Sequence, residues 1–116
     1  MSTDRVFHSA EHLRPTDGEP IRSVVMQTPM AAIVAWTVRP GQRITAHVHP
    51  HGQDTWTVLA GQGDYQLDAD GIATPIVAGD VAVAPAGCVH GVFNTGTQPL
   101  VFVSVVSPAE SGYLLA

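Results

Sequence analysis

From Ile21 onward the sequence is a succession of short apolar runs, each cut by Gly, Pro, Asp or Asn before a second helical turn could form. "MAAIVAWTV" (30–38) stops at "RPGQ", "RITAHVH" (43–49) at "PHGQ", "TWTVLA" (55–60) at "GQG", and "DYQLD" (64–68) at "ADG". "IATPIV" (72–77), "VAVAP" (81–85), "VHGVFN" (89–94) and "PLVFVSVV" (99–106) continue the series. Runs rich in Val, Ile and Thr, recurring at roughly 8–12 residues with turn signals between them, mark an all-β sandwich or barrel. No window holds a 3.6-residue apolar period long enough for an amphipathic helix. Residues 1–20 are polar, carry Pro15, Gly18 and Pro20, and read as an arm. Residues 21–107 read as one barrel and 108–116 as a tail that could add a turn or a short strand.

At 116 residues the chain is sized for one domain. Charged residues are only 13% of it, so part of the surface is expected to lie against another subunit. All five basic residues are arginine, which excludes Schiff-base lysine chemistry and a phosphate-binding P-loop. The formal net charge of −5 and the lack of a basic cluster argue against nucleic acid or an acidic membrane as partner. "MSTDRVFHSA" lacks a secretory pattern, and the single Cys88 cannot form an internal disulfide; a cytoplasmic protein is expected.

Three of the six histidines lie within "HVHPH", His47 to His51. Residues i and i+2 of a strand share a face, so His47 and His49 project together and could converge on one cation. Arg43 falls in the same phase; if the register holds it faces inward, where it could pair with a substrate carboxylate, and otherwise it is a surface arginine at the strand start. Asp54 opens the next run; antiparallel pairing of the two runs would set it beside the histidines and add a hard oxygen ligand. Trp56 follows on the face of Asp54 as a candidate cavity wall. His51, bracketed by Pro50 and Gly52, is expected at the cavity rim, as a solvated turn residue, or as a general base or substitute ligand. Gln53 would turn inward only with a change of register.

Further on, "GDVAVAPAGCVHGVFN" sets Gly79, Pro85, Gly87, His90 and Asn94 at fixed intervals. With the first cluster, these residues resemble the two motifs of the cupin family, G-x5-H-x-H-x3,4-E-x6-G and G-x5-P-x-G-x2-H-x3-N. The first is met by Gly41, His47, His49 and Gly61, with Asp54 where the family carries Glu; the second is met throughout. The resemblance implies a double-stranded β-helix, a jelly-roll barrel. It also implies one divalent transition metal (Zn, Fe, Mn, Ni, Co or Cu) held by His47, His49 and His90, with Asp54 in the carboxylate place. Aspartate is shorter by one carbon–carbon bond, about 1.5 Å. It would therefore reach the ion through a backbone shift, act through a water, or leave a three-histidine site.

The expected function is that of a metal-dependent enzyme on a small oxygen-rich substrate, of dioxygenase, isomerase, cyclase or lyase type, with His51 or Tyr65 moving the proton. A non-catalytic module that binds or senses a small molecule or metal is the alternative. The edge of "PLVFVSVV" and the arm are the expected sites of cross-subunit pairing.

Overall fold

The computed structural model describes residues 4–116. Among them, ten strands form two antiparallel sheets of five. One sheet runs β1 (Ser23–Thr28), β2 (Ala31–Val38), β9 (Leu100–Ser107), β4 (Gln53–Ala60), β7 (Val81–Ala84). The other runs β10 (Leu114–Leu115), β3 (Arg43–Val48), β8 (His90–Phe93), β5 (Gln62–Gln66), β6 (Ala73–Val77). The chain crosses between sheets at nearly every turn, giving the all-β double-stranded β-helix.

The two-residue period of the strands places the core. Along β4, Asp54, Trp56 and Val58 are buried; along β9, Leu100, Phe102, Ser104 and Val106 are. Trp56 stacks on Phe102 with ring centroids 4.2 Å apart and meets Tyr65 edge-on at 5.1 Å. Val38, Val58, Ile76, Val92 and Leu100 close around them. Each fully buried aliphatic or aromatic side chain stabilises the fold by about 1.5–3 kcal/mol. Pro75 sits on β6, an edge strand, where its missing N–H costs the ladder little.

Several expectations change. The "SVVMQT" segment forms an edge strand, β1, that the series of runs did not include. "PLVFVSVV" is not an edge: β9 lies at the centre of its sheet, bonded to β2 and β4, so it has no free side for another chain. In its described part, from residue 4, the arm forms one 3₁₀ turn, Ser9–His12, with no buried residue in that turn. It is tied down beyond that turn, where Gln42 Nε2 donates to the carbonyls of Thr16 and Gly18, each at 2.7 Å. The tail forms β10 and pairs with β3.

The most consequential departure is a bulge in β3. Ile44 pairs with Val92 and His47 with His90, so three residues of β3 span two of β8. The extra residue breaks the period of two. Ile44 points inward, Arg43 outward, and His47 inward again. Gly91 faces the bulge, and a Cβ there would lie 2.8 Å from the Ile44 carbonyl, so the close approach requires glycine.

Candidate metal centre

Four side chains from three strands and a turn meet at one end of the barrel. His47 comes from β3, His49 from the turn after it, His90 from the start of β8 and Asp54 from β4 in the opposite sheet. Their potential ligand atoms all lie within 4.8 Å of one another. That span is close to two metal–ligand bonds placed end to end, about 4 Å. Asp54 does not arrive by pairing with β3, since β3 and β4 belong to different sheets. It reaches across the mouth of the barrel, where the two motifs are also tied by the Gly87 N–H donating to the His49 carbonyl at 2.9 Å.

Each histidine is oriented by its backbone surroundings. His47 Nδ1 lies 2.7 Å from the Thr45 carbonyl, His49 Nδ1 2.8 Å from that of Gly112, and His90 Nδ1 3.1 Å from that of Cys88. A carbonyl can only accept, so each Nδ1 carries a proton and each Nε2 is left to face the cluster. Asp54 is held the same way: Ser104 Oγ donates to Oδ1 at 2.5 Å. The other oxygen, Oδ2, lies 3.0 Å from His90 Nε2 and 3.4 Å from His49 Nε2. The shorter carboxylate therefore reaches the imidazoles directly.

The electrostatics follow from burial and these contacts. Burial, reinforced by the neighbouring imidazoles, pushes the His47 pKa down to about 4. The hydrogen bond to Asp54 raises that of His49 against the opposing effect of burial. For Asp54, burial favours the neutral acid, but His49, His90 and Ser104 together outweigh it and keep the carboxyl well below its usual range. A carboxylate facing Nε2 lone pairs is stable only with a proton or a metal cation between them. Three neutral imidazoles and one carboxylate suit a divalent transition metal, so the residues present fit the cofactor that the motifs imply.

Beside the cluster opens a cavity of about 140 Å³. Trp36, Trp56, Val34, Ile44 and Val106 form its walls, and Arg22 and Tyr113 stand with His47, His49, Asp54 and Ser104 in its lining. A larger depression of about 450 Å³, bounded by Gln27, Pro29, Pro108 and Glu110, lies on the surface away from these residues.

The structure sorts the remaining candidates. Trp56 is a cavity wall and 2% exposed. Arg43 is turned out by the β3 bulge and lies over the Phe93 ring, 4.7 Å from its centroid, so it cannot meet a ligand in the cavity. Gln53 is exposed and directs its amide to Thr55 at 3.3 Å. His51 is an exposed turn residue outside the cavity lining, its N–H donating to the Ser111 carbonyl at 2.9 Å. Tyr65 is buried in the core behind Trp56, and burial raises its pKa, so its phenol is poorly placed to move protons. Asn94 fixes a turn: its amide donates to the Val38 and Gln98 carbonyls at 2.8 Å each and its oxygen accepts the Gly96 N–H.

Four residues escaped the sequence reading. Ser104 was detectable as a hydroxyl in the inward phase of an apolar strand. Gly112 and Tyr113 belong to the tail; the Tyr113 ring stacks on His47 at 4.9 Å. Arg22 carries no sequence signal for the cavity.

A two-sheet β-helix with a three-histidine, one-carboxylate cluster at its mouth defines a cupin. The chain belongs to the cupin family: the family's cupin domain matches residues 34–106. A solved structure from Klebsiella pneumoniae, a protein with a double-stranded β-helix domain, is 51% identical, superposes with a TM-score of 0.94, and each chain covers 97% of the other. Among curated relatives, a mannose-1-phosphate guanylyltransferase of Klebsiella pneumoniae is 30% identical over 77% of this chain, which spans only 18% of that protein's length. An oxalate-binding protein of Thermotoga maritima is 33% identical over 58% of this chain and 54% of its own length.

Proposed function

We propose that this cupin holds one divalent transition metal on His47, His49, His90 and Asp54 and uses it on a small oxygen-rich organic substrate. The observation that carries this is the set of three Nδ1–carbonyl bonds, which commits all three Nε2 atoms to one point beside Asp54. When bound, the cation supplies Lewis acidity toward an oxygen ligand. Ser104 keeps Asp54 ionised and fixed, Trp36 and Trp56 exclude water from one side of the cavity, and Tyr113 offers a hydroxyl at its mouth. The reaction class stays within dioxygenation, isomerisation, cyclisation and lyase chemistry, since the fold does not choose among them.

A non-catalytic binding role is the second reading. It is favoured by the positions of His51 and Tyr65, which leave Tyr113 and the Asp54-bound Ser104 as the hydroxyl-bearing residues of the cavity lining, and by the relative named an oxalate-binding protein. Metal content of protein purified without a histidine tag, compared with His47→Ala, tests the site. Anaerobic metal replacement with Fe, Mn, Ni, Co and Zn, followed by a screen of diketones, phenolics, keto acids and sugar acids, separates the two readings. Turnover supports the enzyme; tight binding with the ligand returned unaltered supports the module.

For partners, the reading is a small molecule and a second copy of the chain, without nucleic acid or membrane. The outer face of the first sheet supports a homodimer, because Val81 and Val83 at its β7 edge are 59% and 49% exposed. Light scattering tests it. Among the described residues no helix is long and apolar enough to cross a membrane. The free, exposed Cys88 is consistent with the reducing cytoplasm, where we place the protein.

A further inference from the structure

Arg22 and the apolar walls define what the cavity accepts. Of the arginines in the barrel, Arg39 pairs with Asp17 at 2.5 Å and Arg43 covers Phe93. Arg22 alone among them lines the cavity, and it makes no ion pair with a described residue. It shares that lining with His47, His49 and Asp54. The remaining wall is Val34, Trp36, Ile44, Trp56 and Val106, with no second cation. A volume of about 140 Å³ is well below the roughly 300–1,000 Å³ of sites for drug-sized ligands.

We propose that the cavity takes a small amphipathic monocarboxylate, its carboxylate held at the mouth by Arg22 and its apolar body packed against Trp36 and Trp56. The proposal rests on the metal-site reading above, because a divalent cation offsets the charge of Asp54 and leaves the lining net positive. A guanidinium offers paired donors matched to a carboxylate, which neither a neutral amide nor an ether can use fully. The apolar wall disfavours a dicarboxylate, whose second charge would lie against Val34, Ile44 or Val106 without a partner. The ligand class is therefore narrower than "oxygen-rich molecule": one acid group and one hydrophobic body.

The test titrates zinc-loaded protein with benzoate, benzamide and oxalate, following tryptophan emission, since both tryptophans line the cavity. Benzoate is expected to bind more tightly than benzamide or oxalate. Arg22→Gln should weaken benzoate at least about fivefold and leave benzamide unchanged, while Arg22→Lys, which keeps charge without the paired donors, should fall between. Arg22 is exposed ahead of β1, so the fold does not depend on it. Zinc content measured on the same samples separates the two claims. Zinc bound but benzoate equally tight to wild type and Arg22→Gln overturns the anchor alone. So does benzoate no tighter than benzamide or oxalate, or no benzoate binding below about 10 mM. Wild-type protein that takes up no zinc removes the metal reading and this proposal with it.

Discussion

Ser104→Ala removes a single hydroxyl that the structure places on the carboxylate of Asp54. Both residues are buried, at 2% and 4% exposure, and the bond is 2.5 Å long. A hydrogen bond to a charged buried group contributes about 1.5–3 kcal/mol. Its loss leaves Oδ1 of a buried carboxylate short of a donor, and the site is too enclosed for bulk water to replace it. At about 1.4 kcal/mol per pKa unit, the Asp54 carboxyl should rise by roughly one to two units. In metal-free protein the midpoint of thermal unfolding should fall by roughly 6–12 °C, taking about 4 °C per kcal/mol for a domain of this size. Zinc affinity should fall by about 10–100-fold, as for other groups that orient a ligand from behind. Calorimetric unfolding with and without zinc, zinc titration and carbon NMR of the carboxyl as a function of pH read the three effects separately. Ser107→Ala, at the exposed end of the same strand, is the control. An Asp54 titration and a zinc affinity both unchanged in Ser104→Ala would refute the argument that this hydroxyl holds the carboxylate in its working state.

The remaining predictions concern pH and the tail. His47 has a folded pKa of about 4 against 6.5 unfolded, so the unfolded chain takes up the proton first. Metal-free protein should lose up to about 2–3 kcal/mol from this group as pH falls from 6.5 toward 4, and His47→Gln should flatten that limb in urea unfolding with chelator present. His49, with its raised pKa, acts in the opposite sense: its contribution is present below 6.5 and lost as pH rises through its folded value, which His49→Gln should abolish. Deleting residues 111–116 removes the Gly112 carbonyl from His49 and β10 from β3, and zinc titration should show affinity lower by about 10–100-fold while far-ultraviolet circular dichroism keeps the β-sheet signature.

The ligands were legible because turn residues at fixed spacing mark where strands begin and end. Gly87 and the strand stop at Pro85 place His90, and the i, i+2 relation places His47 beside His49. The same period-two rule failed at Arg43, because the extra residue in β3 reverses the phase and nothing local announces it except Gly91 on the partner strand. The motif position of Asp54 was right, but the strand pairing expected to bring it there was not: adjacent runs separated by a tight turn suggest a hairpin, yet this turn carries the chain from one sheet to the other. The centrality of β9 was hidden as well, since an apolar alternating run reads alike at an edge and in the middle of a sheet. Arg22 and Tyr113 come from segments outside both motifs, one directly before β1 and the other directly before β10, yet both line the cavity.

The central claim is that three imidazole Nε2 atoms and one Asp54 oxygen can share a single cation. X-ray absorption on protein purified without a histidine tag and loaded with one equivalent of zinc tests it most directly. The spectrum should show three imidazole nitrogens and light oxygen scatterers at about 2.0–2.2 Å, with one imidazole lost in His90→Ala. Fewer than three imidazoles in the wild type, or a sulfur contribution from Cys88, would contradict it.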